Sequence, residues 1–337
     1  MEILLKKYVL KLKHAFGISR ESYDYQDTLI ISLSLNGKTG YGEATANSYY
    51  NITVEKMQQE ITSVKKDIEK YHFTTPEDFH KWLTTKKLSN FSICALDLAA
   101  NDLFGKLKNK PLYKIWDTTL DKYPVTNYTI GIASVEKMVE KMAEKPWPLY
   151  KIKLGTDNDI KIVQELRKHS DAIFRVDANC AWTAQQTIDN SKLLKELGVE
   201  FIEQPLKAND LKGYEKVKKE SHLPIIADES CIVEEDVQKC AGSFDGINIK
   251  LTKCGGLTPA LRMIKKAKKL GLKVMVGCMT ESTVGISAIA QLLPQLDYVD
   301  MDGAMLLESD IATGVIIREN GKVVFPDIAG SGITLRV

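Results

Sequence analysis

Long apolar runs are absent from the 337-residue sequence, and its six cysteines stand singly. No stretch approaches about 18 uncharged apolar residues, which excludes a membrane-spanning helix. Residues 1–16 alternate apolar and basic side chains, so we expect a strand there and no signal peptide. The cysteines form no CxxC pair and no paired histidine motif accompanies them. Zinc clusters and a disulfide scaffold are therefore not expected.

An excess of charge of either sign is also lacking. Lysine and arginine number 46 against 44 aspartates and glutamates, a formal net charge of +2. This balance gives no electrostatic reason to expect DNA, RNA or an anionic membrane as a partner. Together with the single cysteines, this composition allows a soluble enzyme of the reducing cytoplasm.

The first 122 residues predict a small α+β domain. Two alternating runs, Glu2–Lys13 and Thr28–Leu35, are separated by the polar segment Gly17–Asp27. The second run leads into Asn36-Gly37 and another alternating stretch, which is a strong hairpin signal. Helical patterns follow, so we expect a meander of strands and then helices.

From Tyr123 to about residue 310, candidate strands alternate with amphipathic helices. The strand ends recur roughly every 25 residues, which is typical of a barrel of parallel strands. A doubly wound open sheet is the alternative, but no strand is followed by a GxGxxG or GxxxxGK[ST] turn. Residues 311–337 alternate again and contain Asn320-Gly321, which predicts a closing hairpin that returns to the first domain.

Charged residues stand at the C-terminal ends of successive predicted strands. Asp177, Glu203 and Asp228 end three consecutive strands, and Lys153 and Lys250 belong to the strands on either side. One acid at a strand end is more often a turn or helix-cap residue. Five such residues on consecutive strands are better explained by a common site, because these ends meet at one mouth of a barrel.

This set of residues favours metal-assisted carbanion chemistry. Three converging carboxylates would repel one another unless a cation neutralised them, and ligands that are all oxygen favour Mg²⁺. Such a cation would stabilise the charge that grows on a substrate carboxylate when an α-proton leaves. Lys153 and Lys250 could act on opposite faces of the planar enediolate, the cation and nearby Lys151 lowering the pKa of the base. Two opposed bases imply epimerisation or racemisation, whereas one base would serve elimination of water.

The motifs KxK (Lys151, Lys153), VDAN, IEQP, ADES and NIKLTKCGG occur in the order that resembles the muconate-lactonising subgroup of the enolase superfamily. The resemblance covers nearly the whole chain. It implies an α/β fold in which a modified (β/α)7β barrel, residues 123–310, carries a capping domain made by residues 1–122 and the tail 311–337.

The same resemblance implies a role for each site residue. One Mg²⁺ per subunit is expected on Asp177, Glu203 and Asp228, with Lys153 and Lys250 as the opposed acid/base pair. Lys151 is expected to stabilise the substrate carboxylate. Asn179 and Glu229 are expected to orient the metal ligands.

A DxD pair on the last predicted strand indicates which reaction is catalysed. Asp300 and Asp302 lie two apart, hence on one face, and a similar pair binds the substrate ammonium group in dipeptide epimerases. The resemblance therefore implies epimerisation at the C-terminal residue of a dipeptide, Ala-Glu or another Ala-Xaa. N-acylamino acid racemase, o-succinylbenzoate synthase and a non-catalytic metabolite-binding barrel stay open as alternatives.

Side-chain preference is expected from Phe16–Asp27, which resembles the specificity loop of the family. Arg20 would favour an acidic substrate side chain, whereas Glu21 would favour a cationic one. Glu281, in the turn after the seventh barrel strand, is a further candidate for the mouth of the site. The partner is a small dipeptide, and the family resemblance implies a homo-oligomer.

Overall fold

The computed structural model describes residues 1–18 and 22–336, and every element named below lies in those ranges. The N-terminal part is an antiparallel sheet covered on one face by helices. Its strands pair in the order β1 (Glu2–Gly17), β2 (Ser22–Leu35) and β3 (Lys38–Thr45). Its helices are α1 (Val54–Lys70), α2 (Pro76–Leu83), α3 (Asn90–Leu107) and the short α4 (Leu112–Ile115).

Alternation along β2 decides which face of this sheet the helices cover. Leu29, Ile31 and Leu33 are buried and join one apolar cluster with residues of α1 and α3. Helix α3 can approach β3 closely because a Cβ at Gly42 would lie 2.1 Å from the carbonyl oxygen of Ala95. The predicted hairpin is confirmed: β2 and β3 pair across Asn36-Gly37, which both have positive φ.

The segment 16–27 is not a loop over most of its length. β1 continues to Gly17 and β2 begins at Ser22, with Phe16 paired to Tyr23. The strands extend further into this polar segment than the sequence pattern indicated, because each described residue from Ser22 to Asp27 is at least partly exposed and no apolar face marks the strand. We call residues 16–18 and 22–27 the ribbon tip. Arg20 and Glu21 lie outside the described residues.

Within the described ranges, eight parallel strands form the larger sheet. They pair in chain order from β4 (Tyr128–Ile130) through β5 (Leu149–Lys153), β6 (Ile173–Asp177), β7 (Val199–Glu203), β8 (Ile225–Ala227), β9 (Gly246–Lys250) and β10 (Lys273–Gly277) to β11 (Tyr298–Asp300). A further bridge between Thr126 and Val299 brings the two edges together. The predicted barrel is confirmed, and the doubly wound alternative is wrong.

Helices cover the outside of this barrel. They are α5 (Val135–Glu144), α6 (Asp159–Arg167), α7 (Ala184–Glu196), α8 (Leu211–Glu220), α9 (Glu234–Cys240), α10 (Leu251–Cys254), α11 (Leu257–Lys269) and α12 (Thr283–Ala290), with 3₁₀ turns at Leu293–Gln295 and Gly303–Leu306. Among the described residues, no helix combines the length and apolar character needed to cross a membrane.

The C-terminal tail packs against both parts. Its strands are β12 (Ala312–Thr313), β13 (Ile316–Ile317), β14 (Val323–Val324) and β15 (Thr334–Leu335); β13 pairs with β14, as the predicted hairpin requires, and β12 pairs with β15. Ile333 and Ala312 pack with Ile30 of β2 and Val284 of α12 in one small cluster. The tail therefore joins the capping sheet to the barrel.

A buried carboxylate fixes α3 against the barrel. Asp97 of α3 is fully buried and accepts the backbone N–H of Thr258, at the start of α11, at 2.9 Å. Burial raises the pKa of Asp97 to about 7. The carboxylate also lies against Gly256, which has φ +116 and whose Cβ would be 2.3 Å from Asp97 Oδ2. Only glycine fits this contact between the two parts.

We expect Gly256→Ala to lower the free energy of unfolding by about 3 kcal/mol or more, because it adds a clash with Asp97 to the strain of a positive φ. Gly271→Ala is the matched control, since Gly271 has φ +75 with open space around it and should cost about 1 kcal/mol. Urea denaturation of both variants measures the difference. Equal losses would contradict the steric argument.

Candidate active site

Three carboxylates converge where neighbouring barrel strands end. Asp177 and Glu203 are the last residues of β6 and β7 and face each other in register, and Asp228 directly follows β8. One oxygen of each lies within 4.8 Å of the others, and all three residues are buried. The fold therefore brings together the three carboxylates that strand periodicity predicted to share one site.

Two lysines flank these carboxylates from opposite sides. Lys153 Nζ lies 2.7 Å from Asp177 Oδ2, and Lys250 Nζ lies 3.0 Å from Asp228 Oδ2. Burial would lower the pKa of Lys250, but the negative charge of Asp228 outweighs it and raises that pKa above its ordinary value. A cation shared by Asp228 would offset this charge.

Lys151 lies at the centre of the acidic cluster. Its ammonium group is 3.1 Å from Asp177 Oδ2, 2.8 Å from Glu203 Oε2 and 2.9 Å from Asp300 Oδ2, and the side chain is buried. Lys151 therefore links two of the three converging carboxylates, Asp177 and Glu203, to Asp300 of the DxD pair. Lys151 and Lys153 lie on the same face of β5, because they are two residues apart in the strand.

The carboxylate cluster fits a hard divalent cation. Burial, and then the charge of Asp177, raises the pKa of Glu203 to about 7, so a nearby cation would stabilise the charged form of this carboxylate. Asn248 donates to Glu203 Oε1 at 2.8 Å, which leaves the other carboxylate oxygen directed at Lys151. Three converging carboxylates form the oxygen-only donor set that Mg²⁺ prefers.

The DxD pair forms a second acidic group across the cavity. Asp300 ends β11, and its Oδ1 accepts the Nδ2 group of Asn127 at 2.8 Å. Asp302 accepts the backbone N–H of Thr129 from β4. Burial and the neighbouring Asp300 raise the pKa of Asp302 to about 8. Both aspartates line the cavity, so a cation entering there would meet two carboxyl groups.

A cavity of about 420 Å³ connects these groups with the ribbon tip. Besides the lysines and the DxD pair, aromatic side chains form much of its wall: Phe16, Tyr23, Tyr25, Tyr49 and Tyr50. Tyr23 also contacts Thr280 of the barrel through its hydroxyl group at 3.0 Å. Among the described lining residues the lysines are Lys153 and Lys250, and both are already paired with carboxylates.

The remaining predicted residues have different surroundings. Asn179 lines the cavity and accepts from Lys153 Nζ at 3.3 Å, while its N–H donates to Asp177 Oδ1 at 2.9 Å. Glu229 also lines the cavity and is buried next to Asp228 in the chain. Glu281 is buried near Glu43 at the contact between α12 and β3, and it is not among the described residues that line the cavity. Burial, and then Glu43, raises its pKa well above the usual range.

Sequence reasoning missed three residues of the site. Asn127, which holds Asp300, precedes the first barrel strand, and Tyr50 lies on the loop before α1. Lys253 is fully buried and contacts Asp228. It is the second lysine of the motif NIKLTKCGG, but the sequence alone assigned it no role. Its signal was a lysine in the turn directly after the strand that ends at Lys250.

A parallel barrel with three carboxylates at consecutive strand ends, flanked by two lysines, defines an enolase-type barrel enzyme. The chain belongs to the enolase C-terminal domain-like family, whose profile matches residues 133–337. Sequence relatives extend over nearly the full length. A Maribacter sp. protein named L-Ala-D/L-amino acid epimerase is 71% identical and covers 99% of each chain. A Flavobacterium johnsoniae protein of the same name is 59% identical, covering 99% of this chain and 100% of that one.

A solved structure gives the same architecture. The dipeptide epimerase of Enterococcus faecalis V583, crystallised with Mg and the dipeptide L-Leu-L-Tyr, superposes with a TM-score of 0.92. It is 29% identical to this chain and covers 99% of both chains. The similarity thus includes the capping part as well as the barrel.

We expect Glu203→Gln to stabilise the metal-free protein by about 1 to 3 kcal/mol, because it removes a carboxylate whose charged form is destabilised by burial and then by Asp177. The same change should remove most of the stabilisation that Mg²⁺ gives the unaltered protein, since one ligand charge is lost. Urea denaturation in EDTA and in MgCl₂ measures both effects. A variant that is less stable in EDTA, or still fully stabilised by Mg²⁺, would contradict this interpretation.

Proposed function

We propose that this protein is a Mg²⁺-dependent dipeptide epimerase, an isomerase that inverts the α-carbon of the C-terminal residue of an Ala-Xaa dipeptide. The observation that carries the proposal is that two opposed lysines, Lys153 and Lys250, line the same cavity as the buried aspartates Asp300 and Asp302. The names and ligands of the similar proteins support the same reaction.

Asp177, Glu203 and Asp228 are the residues that would hold Mg²⁺. Bound there, Mg²⁺ supplies positive charge next to the substrate carboxylate and so lowers the cost of removing the α-proton. Lys151 adds a fixed ammonium group on the same side. We infer that Asn179 keeps Asp177 and Lys153 in position, since it contacts both. For Glu229, next to Asp228 in the chain, we keep the proposed role of orienting that ligand.

Lys153 and Lys250 hold the proton on the two sides of the α-carbon. Lys153 arrives from β5 and Lys250 from the end of β9, with the carboxylate-bearing strands β6 to β8 between them. One lysine accepts the α-proton as a neutral amine, and the other, protonated, donates from the opposite face. Protonation from the face opposite to removal inverts the stereocentre.

Asp300 and Asp302 recognise the free ammonium group of the dipeptide. A buried carboxyl pair with a raised pKa at Asp302 gains most from a cation that restores its charged form. Muconate and succinylbenzoate have no ammonium group to offer, and an N-acylated amino acid has lost its positive charge. The aspartate pair therefore favours dipeptides over those substrates.

The side chain of the C-terminal residue faces the aromatic wall of the cavity. The ribbon tip and the loop before α1 contribute Phe16, Tyr23 and Tyr50 to it. No cation is available in the described part of this wall beyond the two paired lysines. We infer a preference for uncharged side chains over the glutamate of Ala-Glu; Arg20 and Glu21 keep their proposed roles as candidates for charged substrates.

We further propose a cytoplasmic location, since all six cysteines are free thiols and four of them are buried, which suits a reducing compartment. A homo-oligomer is proposed from the family resemblance. The parts of the chain are taken as a cap (1–122), a barrel (123–310) and a returning tail (311–337).

Single replacement of either lysine, Lys153→Ala or Lys250→Ala, should lower the epimerisation rate by at least about 10³-fold, because each stereoisomer needs both groups. Each variant should still exchange the α-proton in D₂O with one stereoisomer, and the two variants should prefer opposite stereoisomers. Mass-detected deuterium incorporation measures this for L-Ala-L-Phe and L-Ala-D-Phe.

Lys273→Ala serves as the control, because Lys273 is an exposed lysine at the other end of a barrel strand and pairs with Asp297. It should keep the original rate. Unimpaired epimerisation by both Lys153→Ala and Lys250→Ala would rule out the two-base mechanism.

A substrate panel tests the two recognition claims. We expect Ala-Phe and Ala-Leu to be epimerised with kcat/KM at least about 10-fold above that of Ala-Glu, because a buried carboxylate would lack a partner in the described wall. N-acetyl-Ala-Phe should fall at least about 100-fold below Ala-Phe, because it leaves the aspartate pair without a cation.

Asp302→Asn tests recognition of the substrate ammonium group. This variant should reduce the difference in kcat/KM between Ala-Phe and N-acetyl-Ala-Phe. Faster turnover of N-acyl amino acids than of free dipeptides would identify an N-acylamino acid racemase instead. Absence of exchange with every substrate would point to a non-catalytic barrel.

A further inference from the structure

Lys253 is a buried lysine of the site to which the mechanism assigns no role. It lies in α10, the single helical turn after β9, three residues beyond Lys250. Its side chain is completely shielded from solvent. A charged group is costly to bury without partners, so its contacts must compensate it.

The ammonium group of Lys253 is surrounded by acceptors. Its three N–H groups have their nearest acceptors in Asp228 Oδ1 at 2.5 Å, the carbonyl oxygen of Asp228 at 2.5 Å and that of Cys231 at 2.9 Å. The carbonyl oxygen of Asn248 lies further away, at 3.3 Å. These contacts join the loop after β8 to the end of β9. The one acidic partner among them is a carboxylate of the proposed metal site.

The two oxygens of Asp228 are thereby distinguished. Oδ1 faces Lys253, whereas Oδ2 faces Lys250 at 3.0 Å. A carboxylate held by one oxygen cannot rotate freely, so its second oxygen keeps a fixed direction toward the cavity. The backbone of Lys253 is itself anchored, because Asn90 of α3 donates to its carbonyl oxygen at 2.7 Å.

We propose that Lys253 is a positioning residue for Mg²⁺: its ammonium group holds Asp228 Oδ1 and so presents Oδ2 to the cation and to Lys250. The proposal rests on the metal site proposed above. The other fully buried lysine of the site, Lys151, contacts Asp177, Glu203 and Asp300 instead.

Lys253→Met tests the proposal in the full-length protein. Isothermal titration with MgCl₂ should give a Kd for Mg²⁺ that is 10- to 100-fold weaker than in the unaltered protein. At saturating Mg²⁺, kcat for Ala-Phe should remain lowered while KM changes little, because Lys253 does not touch the substrate. Lys253→Arg, which keeps a positive charge and several donors, should recover most of the Mg²⁺ affinity.

Lys106→Met is the matched control. Lys106 also pairs with a buried aspartate, Asp102, at 2.7 Å, but in α3 and away from the cavity. This variant should lose stability in urea without any change in the Kd for Mg²⁺. If leaving any buried aspartate unpaired weakened Mg²⁺ binding, Lys106→Met and Lys253→Met would lose Mg²⁺ affinity alike. That result would overturn the proposal.

The outcomes separate the two proposals. If the unaltered protein fails to bind Mg²⁺, the proposed function is wrong. If it binds Mg²⁺ and Lys253→Met binds equally well, Lys253 does not position the site. Should Lys253→Met fail to fold, Lys253→Gln, which keeps an N–H donor without the charge, takes its place. If that variant also fails to fold, Lys253 is structural and the proposal is overturned.

Discussion

Repulsion among buried carboxylates is the constraint on which the site depends. The register of β6 and β7 brings Asp177 and Glu203 side by side, and Asp228 joins them from the next strand. Such a cluster is unfavourable unless cations surround it, and the chain supplies four lysines around the barrel mouth. These lysines hold the pKa of Asp177 and of Asp228 below the ordinary value despite burial, whereas the pKa of Glu203 is raised to about 7. A divalent cation would therefore chiefly stabilise the charged form of Glu203.

The lysines differ in what they can do, although they belong to one cluster. Lys253 is enclosed by carbonyl oxygens and Asp228, and Lys151 by three carboxylates, so both ammonium groups are fixed in place. Lys153 and Lys250 instead reach the cavity wall. Access to the cavity thus separates the groups that can move a proton from those that set the field around it.

Strand periodicity made the barrel and its acidic ligands predictable, because parallel strands place their ends at one mouth whatever the detailed packing. Asn127 and Lys253 escaped prediction, since their partners are an aspartate far along the chain and backbone carbonyls, which leave no pattern in sequence. The strand pairing of the ribbon tip was missed because each described residue from Ser22 to Asp27 is at least partly exposed. The direction of Glu281 depends on packing near Glu43 of β3, a contact that leaves no pattern in the sequence.

The tail gives the molecule an unusual dependence on the order of its synthesis. Ile30 of the second strand completes its apolar cluster only with Ala312 and Ile333, which leave the ribosome after the whole barrel. During translation, the apolar patch around Ile30 therefore stays partly uncovered until about three hundred further residues have been synthesised. A nascent chain stalled before the tail would expose that patch, which makes it a natural site for chaperone contact.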